Sequence, residues 1–127
     1  MTLAVPFQNH GTIMVVEDDT DIRQSLASVV EAEGLRVLCA ENGRAALNLL
    51  NSFSVLPQLI LLDIMMPVMD GWQFLRERNH HPALLGVPVY VMSAIRDARL
   101  QEPAEGFLRK PIELDDLIGL IEKHCRS

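Results

Sequence analysis

The chain has 127 residues, of which 49% are apolar and 22% are charged. This length fits one domain of ordinary size, and the apolar fraction excludes an intrinsically disordered chain. The formal net charge of −6 excludes a general nucleic-acid-binding surface, because phosphate binding requires a basic face. No apolar run approaches the ~18 residues that span a bilayer. We therefore expect a cytoplasmic protein without membrane insertion.

Residues 1–11 contain no lysine or arginine and no long apolar stretch, so they predict a flexible N-terminal tail rather than a signal peptide. Residues 12–127 form the predicted domain. Its two cysteines are predicted to stay reduced. Cys39 lies in an apolar, strand-like run and is predicted to be buried, whereas Cys125 lies near the end of the chain and is predicted to face solvent.

Strand-like and helical patterns alternate along the domain. Several of the strand-like runs are continuously apolar, as expected for strands that are covered on both faces. The predicted strands are Thr12–Val16, Arg36–Ala40, Leu59–Leu62, Val87–Met92 and Gly106–Arg109. The helices are predicted from apolar stripes at Ile22–Val30, Ala45–Leu50 and Leu114–Ile121, and from the segment between Trp72 and about Asn79.

This alternation predicts an α/β domain, a doubly wound parallel sheet with helices on both faces. In such a sheet, functional residues gather outside the carboxyl ends of the strands. The residues at the predicted ends are acidic after strands one and three, and a serine and a lysine after strands four and five. They are Glu17, Asp18, Asp63, Ser93 and Lys110.

Each of these residue types suits phosphoryl transfer. Crowded carboxylates repel one another unless a cation is present, and a cluster that offers only oxygen ligands suits Mg²⁺. Asp63 is a candidate nucleophile, because an aspartate can form an acyl phosphate. Lys110 can neutralise charge on the transferred group, and the hydroxyl of Ser93 can form a hydrogen bond with it.

Four segments together resemble the receiver domain of two-component response regulators. They are MVVEDD at 14–19, LILLDIMMPVMDG at 59–71, VYVMSA at 89–94 and GFLRKPI at 106–112. The resemblance implies a flavodoxin-like, five-stranded parallel sheet of order 2-1-3-4-5 with five helices. It also implies a phosphorylation-dependent signalling switch that is not an enzyme beyond its own phosphorylation and dephosphorylation.

The resemblance assigns a role to each site residue. Asp63 would be the phosphoacceptor, with Lys110 beside it. Mg²⁺ would be held by Asp18, Asp63 and the main-chain carbonyl of Met65, and Glu17 would act mainly through water. The phosphoryl group would come from a histidine kinase or a histidine phosphotransfer protein.

The resemblance also implies a switch and a docking position. Ser93 and Phe107 match the hydroxyl and aromatic positions of the switch, and Lys110–Pro111 matches a peptide bond that is cis in the family. Ile22 lies on the helix that docks the phosphodonor. The signal would then pass to a downstream protein target, without direct contact with nucleic acid.

Two features depart from the family pattern. The 17 positions from Ser93 to Lys110 are fewer than usual, and Pro103 lies between them, so the fourth helix is predicted to be shortened or replaced by a loop. Met65 and Ile95 flank the site where many receivers carry polar residues. Apolar side chains there would slow the entry of hydrolytic water and predict a long-lived phosphoryl group.

Two other functions that use a related fold or an aspartyl nucleophile fit the sequence less well. A flavodoxin-like phosphate loop is disfavoured by the acids at 17–19, and a haloacid-dehalogenase-type phosphatase would need an acid where Met65 stands. A receiver-fold interaction module that works without phosphorylation stays the alternative. Because the last predicted helix ends near Cys125, we expect a single-domain regulator.

Overall fold

The computed structural model describes residues 11–52, 56–95 and 99–125. The tail predicted for residues 1–11 lies almost entirely outside the described residues. The strands are β1 (Thr12–Val16), β2 (Arg36–Ala40), β3 (Leu59–Asp63), β4 (Val89–Ser93) and β5 (Gly106–Arg109). The helices are α1 (Thr20–Ala32), α2 (Gly43–Ser52), α3 (Gly71–Asn79) and α4 (Leu114–Cys125), with a short 3₁₀ turn at Pro82–Leu84.

The five strands form one parallel sheet in the order β2-β1-β3-β4-β5. All five residues of the central strand β3 are buried. A continuous apolar run is therefore stable there, because helices cover both of its faces. The predicted fold class and strand order are confirmed.

Two apolar clusters hold the helices against the sheet. The first joins α2 and α3 to one face, through residues such as Leu50 and Phe74. The second joins α1 and α4 to the other face, through residues such as Val30 and Ile121. Successive strand residues point to opposite faces of the sheet and therefore belong to the two clusters alternately. Because all five strands are parallel, their carboxyl ends lie at one edge of the sheet.

The connection between β4 and β5 departs most from the family pattern. Its described residues, 94–95 and 99–105, contain no helix, so the described chain has four α-helices where the resemblance implied five. Ala104 packs against the first cluster, and the amide of Asn79 donates a hydrogen bond of 3.1 Å to the carbonyl of Pro103. In the described part of this connection, a loop therefore stands where the resemblance implied the fourth helix.

The two cysteines differ from the prediction. Cys39 is exposed and Cys125 is buried, and neither forms a disulfide. β2 is an edge strand, so its side chains are less covered than its apolar sequence suggests. Cys125 lies on the inner face of α4, in the second cluster. Strand β4 also begins at Val89 rather than Val87. No helix in the described ranges is long and apolar enough to cross a membrane.

Candidate functional site

The turn after β1 carries three acids, at positions 17–19, which have different roles. Glu17 is 1% exposed and continues the ladder, donating its backbone N–H to the carbonyl of Ala40 at 3.0 Å. Asp19 caps α1, because its side chain accepts a hydrogen bond of 3.0 Å from the backbone of Ile22. Asp18 stays exposed between them. Glu17 and Asp18 are thus free to face the cavity, and Asp19 fixes the helix that follows.

Asp63 is the last residue of β3 and is 4% exposed. Helix α3 begins directly against it. A Cβ atom on Gly71 would lie 2.5 Å from the carbonyl oxygen of Asp63, a distance that no side chain tolerates. Only glycine permits this approach. Asp70 caps the same helix and forms a reciprocal capping box with Gln73, which fixes where α3 begins.

Lys110 follows β5 and bridges the two buried acids. Its ammonium nitrogen lies 2.6 Å from Oε1 of Glu17 and 3.1 Å from Oδ1 of Asp63. The backbone N–H of Lys110 donates to the carbonyl of Ser93 at 2.8 Å, which ties this residue to the end of β4. The Lys110–Pro111 peptide bond is cis, as the resemblance implied.

The acids form a compact cluster of oxygen ligands. One carboxylate oxygen from each of Glu17, Asp18 and Asp63 lies within 4.8 Å of the others. Among the described residues, Lys110 is the one side-chain cation paired with these three carboxylates. The cluster therefore keeps an excess of negative charge.

Burial and charge repulsion shift the protonation of this cluster. Burial, aided by the charge of Asp63, raises the pKa of Glu17 to about 7, against the lowering effect of its bond with Lys110. Burial alone would lower the pKa of Lys110. Its bonds with Glu17 and Asp63 outweigh that effect and raise the pKa. The ammonium is therefore charged at neutral pH, and one of the acids resists ionisation.

This donor set fits Mg²⁺. Hard divalent cations prefer oxygen ligands, and Mg²⁺ takes few protein carboxylates and keeps several waters. Asp18 and Asp63 would hold the ion, with Glu17 behind them. Met65 lies in the wall of the same cavity. A role for its main-chain carbonyl stays a prediction.

The acids open into a cavity of about 350 Å³. Three apolar residues, Ile22, Met65 and Ile95, line it together with the charged groups. Met65 is 69% exposed and Ile95 is 52% exposed. Two larger grooves, of about 480 and 730 Å³, lie beside α2 and hold no such group of acids among their described lining residues.

The two residues of the predicted switch share a face of the sheet. Phe107 pairs in register with Val91, and Ser93 stands two residues further along β4, so both side chains lie on the side of the first cluster. Ser93 is 3% exposed, and its hydroxyl accepts a hydrogen bond of 3.0 Å from the backbone of Ile95. Phe107 is half-buried.

One residue at the site was missed from the sequence. Arg23, on α1, donates from its guanidinium to the main-chain carbonyls of Glu17, at 2.7 Å, and Asp18, at 3.4 Å. The available signal was a basic residue close to the N-terminus of a helix, where the helix dipole disfavours positive charge.

Comparison with known proteins agrees with this geometry. The family model for the response regulator receiver domain matches residues 13–122. The chain therefore belongs to the receiver domain family of two-component response regulators, in which phosphoryl acceptance is typical.

Individual relatives share the whole domain. An uncharacterized 14.6 kDa protein from Leptolyngbya boryana is 34% identical over 89% of this chain and 88% of its own length. The DNA-binding transcriptional regulator NtrC of Escherichia coli is 35% identical, but this chain spans only 24% of its length. The activity of that longer protein is therefore not carried over.

Solved structures show the same fold. The signal receiver domain of a histidine kinase from Syntrophus aciditrophicus has a TM-score of 0.82 and 29% identity, over 91% of this chain and 89% of that one. A CheY-like receiver domain protein from Methanospirillum hungatei has a TM-score of 0.77 and 26% identity, over 91% and 94% of the two chains.

Proposed function

We propose that this protein is a signalling switch that accepts a phosphoryl group on Asp63, with Mg²⁺ as its cofactor. One observation carries the proposal. A buried carboxylate at the end of β3 is bonded to Lys110 at 3.1 Å and lies within 4.8 Å of two further acids. An isolated acid at a strand end would cap a helix, as Asp19 does. This grouping has no comparable structural use, because it concentrates like charge.

The chemistry follows from the positions of the side chains. A carboxylate oxygen of Asp63 bonds to phosphorus while the bond from phosphorus to the donor nitrogen or oxygen breaks, and the donor atom keeps the electron pair. Bound Mg²⁺ would supply charge neutralisation on the phosphoryl oxygens. Asp18 and Asp63 would hold it, and the ammonium of Lys110 would stabilise negative charge beside the acceptor.

The response to phosphorylation would begin at Ser93. The modification adds negative charge and strong acceptor oxygens at Asp63. The Ser93 hydroxyl is buried on the neighbouring strand and would donate to a phosphoryl oxygen. Phe107, half-buried on the same face, would turn inward into the space that is left. The change is a shift in population between two packings, and the β4–β5 connection would transmit it.

The partners we propose are proteins. A histidine kinase or a histidine phosphotransfer protein would supply the phosphoryl group, and a downstream protein would bind the phosphorylated form. Ile22 is half-buried on α1 and lines the cavity, so it would contact a donor that docks over the acids. Direct binding of nucleic acid is not proposed, because the chain is acidic.

The test is labelling by a small phosphodonor. Purified protein with MgCl₂ and radiolabelled acetyl phosphate should take up about one phosphoryl group per chain, and Asp63→Asn should take up none. Asp116→Asn is the matched control, because Asp116 is exposed on α4. That variant should label like the wild type. Full labelling of Asp63→Asn would refute the assignment, and an unlabelled wild type would favour a module that works without phosphorylation.

A further inference from the structure

Arg23 binds the backbone that carries the acid pair. It is half-buried on α1, and its guanidinium reaches back over the turn to the carbonyls of Glu17 and Asp18, at 2.7 and 3.4 Å. A third contact, of 3.5 Å, joins it to the hydroxyl of Thr20. A single side chain thus spans the turn between β1 and α1.

This arrangement works against the local electrostatics. The backbone N–H of Arg23 donates to the carbonyl of Asp19, the N-cap, so Arg23 lies one turn into the helix. A positive charge is unfavourable there, because the helix N-terminus carries a partial positive charge. The bonds to the two carbonyls offset this cost, and they favour one conformation of the turn.

The three acids depend on that turn to different degrees. Glu17 and Asp63 are buried and are bonded to Lys110, and Glu17 also accepts a hydrogen bond of 3.2 Å from the backbone of Asp19, so each of these two carboxylates has hydrogen bonds of its own. Asp18 is exposed, and among the described residues its side chain makes no hydrogen bond or ion pair. The position of its carboxylate therefore follows the backbone to which Arg23 is bonded.

We propose that Arg23 is a positioning residue that holds the Asp18 carboxylate over the buried acids and thereby sets the affinity for Mg²⁺. This inference rests on the proposed function. Groups that orient metal ligands from behind affect affinity strongly, although they do not touch the ion. A guanidinium suits this role, because it bonds both carbonyls through Nη1 and Thr20 through Nη2, whereas lysine offers a single nitrogen one bond closer to the backbone.

The discriminating variant is Arg23→Lys. It keeps the positive charge, so any change in long-range repulsion of Mg²⁺ is small, but it removes the second nitrogen and shortens the side chain by one bond. Calorimetric titration of the full chain with MgCl₂ should show affinity weaker by about tenfold. Arg44→Lys is the matched control. Arg44 makes an exposed ion pair with Glu77 at 3.3 Å, and this change should leave Mg²⁺ affinity as in the wild type.

A second measurement separates positioning from general stability. In metal-free Arg23→Lys, amide hydrogen exchange should accelerate at residues 17–19 and stay unchanged in β3. Wild-type Mg²⁺ affinity in Arg23→Lys would overturn the inference, as would faster exchange throughout the sheet. A wild-type protein that binds no Mg²⁺ would instead defeat the proposed function, so the two failures are distinguishable.

Discussion

Two groups of buried charge lie at opposite edges of the sheet, and they are satisfied in different ways. At the carboxyl edge, Glu17 and Asp63 share the ammonium of Lys110, with Asp18 close by. At the opposite edge, Arg78 is 4% exposed near the end of α3, and no carboxylate in the described ranges lies within ion-pair distance of it.

Arg78 is held by neutral oxygens. It donates to the carbonyl of Val87 at 2.6 Å and to the side chain of Asn79 at 2.7 Å, while its Nε finds no partner among the described residues. Burial lowers the pKa of Arg78, because a charged guanidinium is less favourable away from water. Glu105 acts in the other direction.

The difference separates a reactive site from a fixed one. Arg78 joins α3 to the segment before β4 through bonds to two neutral oxygens. The acids keep more negative charge than one lysine neutralises, so a bound cation can still improve their charge balance. Buried charge indicates function where several like charges are gathered, as at the carboxyl edge, and not where a single charge is bonded to neutral oxygens.

The largest expected effect follows from removing Lys110. Lys110→Met should slow labelling of Asp63 by acetyl phosphate by about 100-fold, because the charge that stabilises the transferred group is lost. Lys123→Met, at the exposed end of α4, provides the control and should label at the wild-type rate. Labelling of Lys110→Met at the wild-type rate would mean that its ammonium serves only to pair the buried acids.

An intermediate effect is expected at the other edge. Arg78→Ala should lower the free energy of unfolding by about 2 kcal/mol, because it leaves a cavity and deprives the Val87 carbonyl of its donor. Urea unfolding measures this. Arg76→Ala, which breaks an exposed ion pair with Glu102, should cost less than about 0.5 kcal/mol.

The comparison also requires that the two groups act separately. The folded fraction of Arg78→Ala should label at Asp63 like the wild type, because Arg78 bonds only to Asn79 and Val87 among the described residues. A loss of labelling beyond the loss of folded protein would show that the two edges are coupled through β4.

The carboxyl edge was predictable from the sequence, and the opposite edge was not. Parallel strands align their ends, so the residues after β1, β3, β4 and β5 converge wherever the alternation of strands and helices is recognised. Glu17, Asp63 and Lys110 needed only that rule. Arg78 follows no such rule, because its burial depends on how α3 packs against the segment before β4.

Burial that depends on tertiary packing also explains why the predicted exposure of the two cysteines was wrong. Apolar neighbours suggested a buried Cys39, but exposure on an edge strand depends on what covers that edge. Proximity to the chain end suggested an exposed Cys125, but the inner face of α4 decides its burial. Pro103 correctly predicted a loop in the described part of the β4–β5 connection, because proline acts locally on the backbone.

The smallest expected effect concerns pH and sharpens the description of the acid cluster. The pKa of Glu17 is raised from 4.5 to about 7 in the folded protein. Between those values the folded state holds a proton that the unfolded state has released. In the metal-free protein, Glu17 therefore contributes stability that is fully present below pH 4.5 and is lost as the pH rises through about 7.

Glu17→Gln tests this directly, because glutamine keeps the shape of the protonated acid and cannot ionise. Urea unfolding in the presence of a chelator should give a free energy that falls with pH across this window for the wild type and falls less for the variant. Parallel pH profiles would show that Glu17 ionises normally. In that case the bond with Lys110 would fully offset the effect of burial on the pKa of Glu17.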